Sequence, residues 1–202
     1  FRVHFDDFFS ERGLHEGGKV VEAREHLGDR VFVEEAKTFF RSTDFGDEKD
    51  RVIIRDDGRP TYFLADIAYH RTKQERGFSH MYNIWGPDHH GYIRRLAGAV
   101  EAMGYPKDNF QVLIAQQVKL LENGEPVKMS KRAGKLVPMA QLMDEIPVDV
   151  SRYFFVMRSF ESHLDYDLAE ARDTSEKNPY YYVAYAHARI HSIFRKAGER
   201  GL

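Results

Sequence analysis

Between residues 81 and 121 the chain reads strand, helix, strand, and that order restricts its fold more than any other feature. Met81 to Trp85 (MYNIW) is a short apolar run ending at Gly86. Tyr92 to Met103 places Ile93, Leu96, Ala97, Val100 and Met103 on one helical stripe, with Gly104 behind it as a C-terminal stop. Phe110 to Leu121 (FQVLIAQQVKLL) is the next strand or strand pair. Two strands separated by a helix, all within about forty residues, form a βαβ unit, which implies a parallel sheet with a right-handed crossover. Sheets of this kind take ligands past the carboxyl ends of their strands. Gly86-Pro87-Asp88-His89-His90 stands at such an end.

The flanking stretches have a different texture. Lys19 to Leu27 (KVVEAREHL) puts Val20, Ala23 and Leu27 on one helical face, between Gly17-Gly18 and Gly28. Val31 to Val33 and Thr38 to Arg41 read as short strands, and Arg51 to Arg55 (RVIIR) as a stronger one. Asp57-Gly58 is a hairpin turn signal, which makes Thr61 to Leu64 the expected return strand. A small α+β unit with a hairpin is therefore predicted ahead of the βαβ segment. Ala65 to Glu75 reads as a helix closed by Gly77. Beyond Pro126 come a basic loop and then helices: Met139 to Glu145 behind Pro138, and Val148 to Met157. Asn178-Pro179 pairs an N-cap with a first-turn proline. The helix that follows is expected to turn Val183, Ala186, Ile190, Ile193 and Phe194 inward and to stop at Gly198 or Gly201. Such a long amphipathic helix needs a partner surface. No internal repeat or low-complexity segment is present.

Composition narrows the class. With 42% hydrophobic residues, fifteen Phe and eleven Tyr, the chain has ample apolar surface for a core. A formal net charge of -2 means that any contact with a polyanion comes from a local patch. The absence of cysteine excludes disulfides and thiolate metal sites and suits a reducing compartment, so a cytoplasmic location is expected. No run approaches the roughly 18 apolar residues of a membrane span. The opening FRVHFDDFFSERG is acidic and aromatic, unlike a signal peptide, and lacks an initiator Met, so the chain reads as a fragment.

Three segments carry candidate chemistry. Lys128-Met129-Ser130-Lys131-Arg132 sets two lysines around Met-Ser on a loop bounded by Gly124 and Gly134. Mobile ammonium groups suit phosphate oxygens, and such a loop can close over a triphosphate; it can equally be a solvated basic turn. In Trp85 to Tyr92, Gly86 lets a ligand approach the backbone and Asp88 can accept ribose hydroxyls. The alternatives there are Asp88 as a helix N-cap, or a metal site of Asp88, His89 and His90, for which no supporting spacing exists. In Thr61 to His70 (TYFLADIAYH), Asp66 is a natural partner for a guanidinium and Tyr62 can flank it; otherwise Asp66 is an N-cap and Tyr62 a core aromatic.

Six runs in order, RSTDFGDEKDRV (41–52), TYFLADIAYH (61–70), WGPDHHGY (85–92), QQVKLLENGEPVKMSKRAGKLV (116–137), MRSFESHLDYDL (157–168) and NPYYYVAYAHARI (178–190), together resemble bacterial-type arginyl-tRNA synthetases of class I. KMSKR is similar to the KMSKS signature of that class, with Arg last. The resemblance implies an α/β fold: the second half of a Rossmann-like catalytic domain with a parallel sheet, preceded by a small α+β insertion and followed by helices. It divides the chain into an insertion (1–60), the second half of the nucleotide-binding fold (61–125), the KMSKS loop and stem-contact helices (126–176) and the start of a helical anticodon-binding domain (177–202). It implies ATP-dependent activation of L-arginine and transfer to tRNA(Arg), with Mg2+ accompanying ATP and no structural metal. By the same resemblance Tyr62 and Asp66 bind the arginine side chain, Gly86, Asp88 and His89 face adenosine, and Lys128, Met129, Ser130 and Lys131 meet the ATP phosphates, the two lysines acting in catalysis. The full-length protein is expected to be a monomer.

One departure stands out. Class I synthetases carry a HIGH signature, and His89-His90-Gly91 has neither its spacing nor its place, so this stretch alone is expected to be inert. A non-catalytic nucleotide- or tRNA-binding module is the alternative from another class. A cysteine-activating enzyme is a nearer one, disfavoured because such enzymes build a thiolate zinc site. Arg71, Lys73 and Arg76 read as a solvated basic face or as contacts for tRNA phosphates, as do Arg189, Arg195, Lys196 and Arg200. Asp165 and Asp167 read as structural.

Overall fold

The computed structural model describes residues 1–127 and 138–201. The chain forms two compact units, residues 5–114 and residues 1–4 with 115–202. The architecture is α/β with one parallel strand pair in each unit.

In the first unit, α1 (Glu11–Glu16) and α2 (Lys19–Leu27) precede a three-stranded antiparallel sheet of β1 (Val31–Glu34), β2 (Lys37–Phe40) and β3 (Arg51–Ile54). Helix α3 (Tyr62–Glu75) then leads to β4 (Met81–Trp85), α4 (Ile93–Ala102) and β5 (Phe110–Ile114). Strands β4 and β5 pair in parallel register from Met81↔Phe110 to Trp85↔Ile114, so the expected βαβ unit is present at the expected strand. One core serves the whole unit: Leu14, Val20, Ala23 and Leu27 of the first helices meet Phe40, Ile53, Phe63, Leu64, Ile67, Leu96 and Val100.

The turn expected at Asp57-Gly58 forms, with Arg55 N donating to Arg59 O and Thr61 N to Ile53 O, but the return strand expected beyond it is corrected. Only a single bridge, Ile54↔Pro60, closes the turn, and the chain is helical from Tyr62, not a strand over Thr61–Leu64. Pro60 has no N–H with which to extend the ladder. Thr61 is the last residue tied to β3: its N–H donates to Ile53 O at 2.9 Å and its hydroxyl to the carbonyls of Val52 and Ile53 at 3.1 and 3.2 Å, and the helix starts at the next residue. The helix then buries Phe63, Leu64, Ala65, Ile67 and Ala68 together, a burial that a two-residue period could not achieve.

The second unit holds β6 (Val118–Glu122), β7 (Glu125–Pro126), α5 (Met139–Glu145), α6 (Val148–Val156), β8 (Leu164–Asp167), α7 (Leu168–Arg172) and α8 (Pro179–Glu199). Strand β6 pairs antiparallel with β7 and parallel with β8, so Phe110 to Leu121 is indeed two strands, and they belong to different units. Asn123 (φ 54°) and Gly124 (φ +81°) make the β6–β7 turn with both central residues left-handed, as a two-residue hairpin requires. Leu142, Ile146, Val150, Phe154, Leu164 and Tyr166 form the core.

Asn178 caps α8 as expected and does more. Its Oδ1 accepts from Tyr180 N at 3.0 Å, while its Nδ2 donates to the carbonyls of Glu170, Ala171 and Asp173. The inward face expected for α8 is corrected: Val183, Ile190, Ile193 and Phe194 are exposed, and the helix buries no residue. Its first turn is held through Tyr180 and Tyr181 against the core, and no described element covers the rest.

Candidate functional site

Helix α3 carries the best-defined polar constellation of the chain. It presents Asp66 on its second turn, so the N-cap alternative for this residue does not hold. Tyr92, at the end of a 3-10 turn that follows β4, donates its hydroxyl to Asp66 Oδ2 at 2.6 Å. Among the described residues this is the only side-chain hydrogen bond to the Asp66 carboxylate, and no Lys or Arg is ion-paired with it. Burial pushes the Asp66 carboxyl above the usual carboxylate range, although the Tyr92 hydrogen bond opposes the shift. Glu11 of α1 raises it further. Tyr92 is driven up as well, by burial and by its bond to Asp66.

Asp66 lines a small cavity of about 170 Å³ with Phe9, Glu11, Leu14, Ala65 and Tyr69. The rings of Phe9 and Tyr69 lie 4.7 Å apart. Two carboxylates and two aromatic rings around a cavity of this size suit a planar organic cation, which is attracted both to charge and to ring faces.

Directly below, α3 is tied to β4 through a second polar set. His70 donates from Nδ1 to the Asp66 carbonyl at 2.8 Å, which leaves Nε2 to accept from Asn83 Nδ2 at 2.9 Å. Lys73 donates to Asn83 Oδ1 at 3.0 Å and sits 4.4 Å above the Tyr69 ring. Burial lowers His70 to about 4 and Lys73 to about 8. The expected basic face of Arg71, Lys73 and Arg76 is therefore not a free one: Arg71 pairs with Glu75, Arg76 with Asp7, and Lys73 is turned into this network.

The remaining candidates fall as follows. Tyr62 is 80% exposed, so it is not a core aromatic. It borders a cavity of about 620 Å³ with Arg51, Arg55, Tyr92 and Arg95, and a smaller one, but not the cavity that Asp66 lines. Gly86 to Tyr92 lies past the carboxyl end of β4. A Cβ at Gly86 would come within 2.7 Å of Asp88 Oδ1, so a larger residue there would have to displace the exposed Asp88 side chain. Asp88 makes no capping bond; it lies 3.5 Å from exposed His89. Among the described residues no three His, Asp or Glu side chains are grouped to hold a metal ion. Lys128, Met129, Ser130 and Lys131 lie outside the described residues. Asp167, read as structural, is so: it caps α7 through Ala169 N and Glu170 N and holds the β6–β7 turn through Asn123 N and Gly124 N.

Sequence reasoning missed Glu11, Phe9 and Tyr92 as neighbours of Asp66. The only local signal for Tyr92 was its position just beyond the Gly86 turn. Glu11 and Phe9 lie more than fifty residues upstream, and nothing in their spacing announces the contact.

Comparison with known proteins bears on what the site serves. The chain is 57% identical over 205 residues to an arginine--tRNA ligase of Leptospira interrogans, covering 99% of this chain and 35% of that protein. The Bacillus subtilis arginine--tRNA ligase is 52% identical over 204 residues, covering all of this chain and 37% of that protein. The chain is a relative of the arginine--tRNA ligases. It spans about a third of their length. A solved Campylobacter jejuni structure, provisionally named an arginyl-tRNA synthetase, superposes with a TM-score of 0.86 at 43% identity, over 98% of this chain and 43% of that one. The arginyl-tRNA synthetase of Thermus thermophilus gives 0.68 at 19% identity over 91% of this chain and 41% of that one, and shows likeness of fold alone. No protein-family profile matches the chain. Among the described residues no helix is long and apolar enough to cross a membrane.

Proposed function

We propose that the chain is part of an arginine--tRNA ligase, which activates L-arginine with ATP to arginyl-adenylate and transfers it to tRNA(Arg). The observation that carries the reading is Asp66: a partly buried carboxylate, anchored by one phenol and facing a small aromatic cavity with no cation of the described residues on it. Burial of an unpaired carboxylate is costly, and a bound guanidinium relieves that cost through charge-assisted hydrogen bonds. Glu11 adds to the negative potential, which selects for a cationic side chain over a neutral one.

The finer parts of the reading rest on the resemblance. The resemblance gives Tyr62 to the arginine as well, although it borders neighbouring cavities and not the one that Asp66 lines. Gly86, Asp88 and His89, past the end of a parallel strand, serve the adenosine, in keeping with ligand binding in Rossmann-like sheets. Lys128, Met129, Ser130 and Lys131 close on the phosphates, with Mg2+ arriving on ATP, and the two lysines stabilise charge as pyrophosphate leaves. In domain terms, residues 1–60 are the insertion, 61–125 the second half of the nucleotide fold, 126–176 the loop with stem-contact helices, and 177–202 the start of the anticodon-binding domain. The protein works in the cytoplasm as a monomer.

The test is ATP–pyrophosphate exchange in the full-length protein with Asp66→Ala. The arginine KM rises sharply while the ATP KM moves little. Equal changes in both would overturn the assignment of Asp66 to arginine.

A further inference from the structure

We propose that Tyr92 is a positioning residue for arginine recognition: its hydroxyl fixes the Asp66 carboxylate through one oxygen and leaves the other for the substrate cation. The inference rests on the reading of Asp66 given above and extends it to a residue 26 positions away in sequence. Four observations carry it.

The first is the bond itself, Tyr92 Oη to Asp66 Oδ2 at 2.6 Å, within the range of a charge-assisted O–H···O⁻ contact. The second is how firmly the donor is placed. The Tyr92 ring meets Phe63 edge-on at 5.9 Å and Trp85 at 5.7 Å, and the Arg95 guanidinium lies 4.9 Å from its centroid. A phenol packed on three sides cannot follow a wandering carboxylate; the carboxylate conforms to it. The third is what else could do the work. The charged groups that act on Asp66 are Glu11 from α1, Lys73 from α3 and His89 from the turn after β4. None of them is hydrogen-bonded to the carboxylate, Lys73 is engaged by Asn83, and Glu11 repels. Lys73 and His89 favour the ionised form by charge alone, and Tyr92 is the only one of the described side chains that does so through a hydrogen bond. The fourth is location. Tyr92 ends the same 3-10 turn that bears Asp88 and His89, so one hydroxyl ties that turn to α3.

A carboxylate with Oδ2 already engaged presents a directional acceptor. Oδ1 and the remaining lone pair of Oδ2 stay open to a guanidinium, which brings parallel N–H donors in a fixed fork. Without Tyr92 the carboxylate rotates freely and is protonated more readily, and both effects weaken capture of the cation.

The experiment uses the full-length protein and measures ATP–pyrophosphate exchange against arginine and ATP from about pH 5 to 9. Tyr92→Phe keeps the ring and removes the donor. The arginine KM is expected to rise about tenfold, as fits the loss of one charge-assisted hydrogen bond, with the ATP KM within about twofold. The acid limb of kcat/KM for arginine is expected to move up by about one pH unit. Replacing Tyr92 by 3,5-difluorotyrosine, a stronger donor of the same shape, is expected to move that limb to lower pH, which also covers the case in which Tyr92→Phe does not fold. A limb that stays put in both variants overturns the proposal, because a purely packing role for Tyr92 predicts no movement. Asp66→Asn separates the two levels. If it leaves the arginine KM unchanged, the assignment of Asp66 to arginine fails and the role of Tyr92 fails with it. If it raises the arginine KM while the Tyr92 variants leave the acid limb in place, only the role of Tyr92 is lost.

Discussion

Asp66 of the first unit and Asp167 of the second are carboxylates treated in opposite ways by their surroundings. Asp167 accepts from four backbone N–H groups and is held below the usual carboxylate range, its ionised form fully used by the fold. Asp66 accepts from one phenol, is pushed above that range by burial, and retains acceptor capacity directed at a cavity. The difference teaches how to tell a structural acid from one held ready for a ligand. A carboxylate that the backbone satisfies stabilises its own neighbourhood, whereas one left short of partners is a cost that only a bound cation removes.

Substitutions at these and neighbouring positions can break the contrast. The largest effect is expected for Asp66→Ala in the full-length protein. Arginine kcat/KM should fall on the order of a hundred- to a thousandfold, the loss typical of removing one side of a desolvated charge pair. Thermal stability should change little, since relief of a partly desolvated charge offsets the loss of the Tyr92 hydroxyl's acceptor; a marked fall in melting temperature would place Asp66 with Asp167 as a structural acid.

Next in size is Asn178→Ala. Asn178 is fully buried and links the end of α7 to the start of α8 through four hydrogen bonds, so urea unfolding should show a loss of about 2–4 kcal/mol. No change would mean that the link between the two helices is held by the tyrosines alone.

His70 sharpens the comparison through pH. Its folded value of about 4 lies below the ordinary 6.5, so the unfolded chain binds the extra proton. Stability is therefore complete above about pH 6.5 and is lost as the pH falls toward 4, with about 2 kcal/mol gone by pH 5. Asp66 works the other way, since its raised value favours the folded state on acidification. In His70→Gln the loss between about pH 6.5 and 5 should largely vanish in a denaturation series, while the loss at lower pH from lowered carboxylates such as Asp167 remains.

The smallest effect is expected for Asp167→Ala, about 1–2 kcal/mol, as for loss of an N-cap. It should be accompanied by faster amide exchange at Asn123 and Gly124, the two turn donors that lose their acceptor. Unchanged exchange there would restrict the role of Asp167 to capping α7.

Much of the backbone was legible in the sequence. Lys19–Leu27, Met81–Trp85 and Met139–Glu145 form elements at their expected limits, and Asn178-Pro179 starts a helix. These are decisions made within a few residues, by periodicity and by caps that satisfy free N–H groups. The return strand after Asp57-Gly58 was misread because a turn signal says nothing of where the pairing stops: Thr61 N still donates to Ile53 O, and the helix begins at Tyr62. The face of α8 was misread for a related reason: an apolar stripe states what a helix could bury and not what lies beside it.

At the site the division is sharper. The residue type at Asp66 left a cation partner and a helix N-cap both open, and the resemblance chose between them; only the position of Asp66 on the second turn of α3 removes the cap. Its phenol donor 26 residues ahead, the acid on α1 that joins it, and the separation of Tyr62 from its cavity came from folding α1, α3 and the turn after β4 onto one core. Local order along a chain fixes which backbone hydrogen bonds form. Which side chains are left wanting a partner depends on distant segments meeting, and that the tertiary structure alone decided.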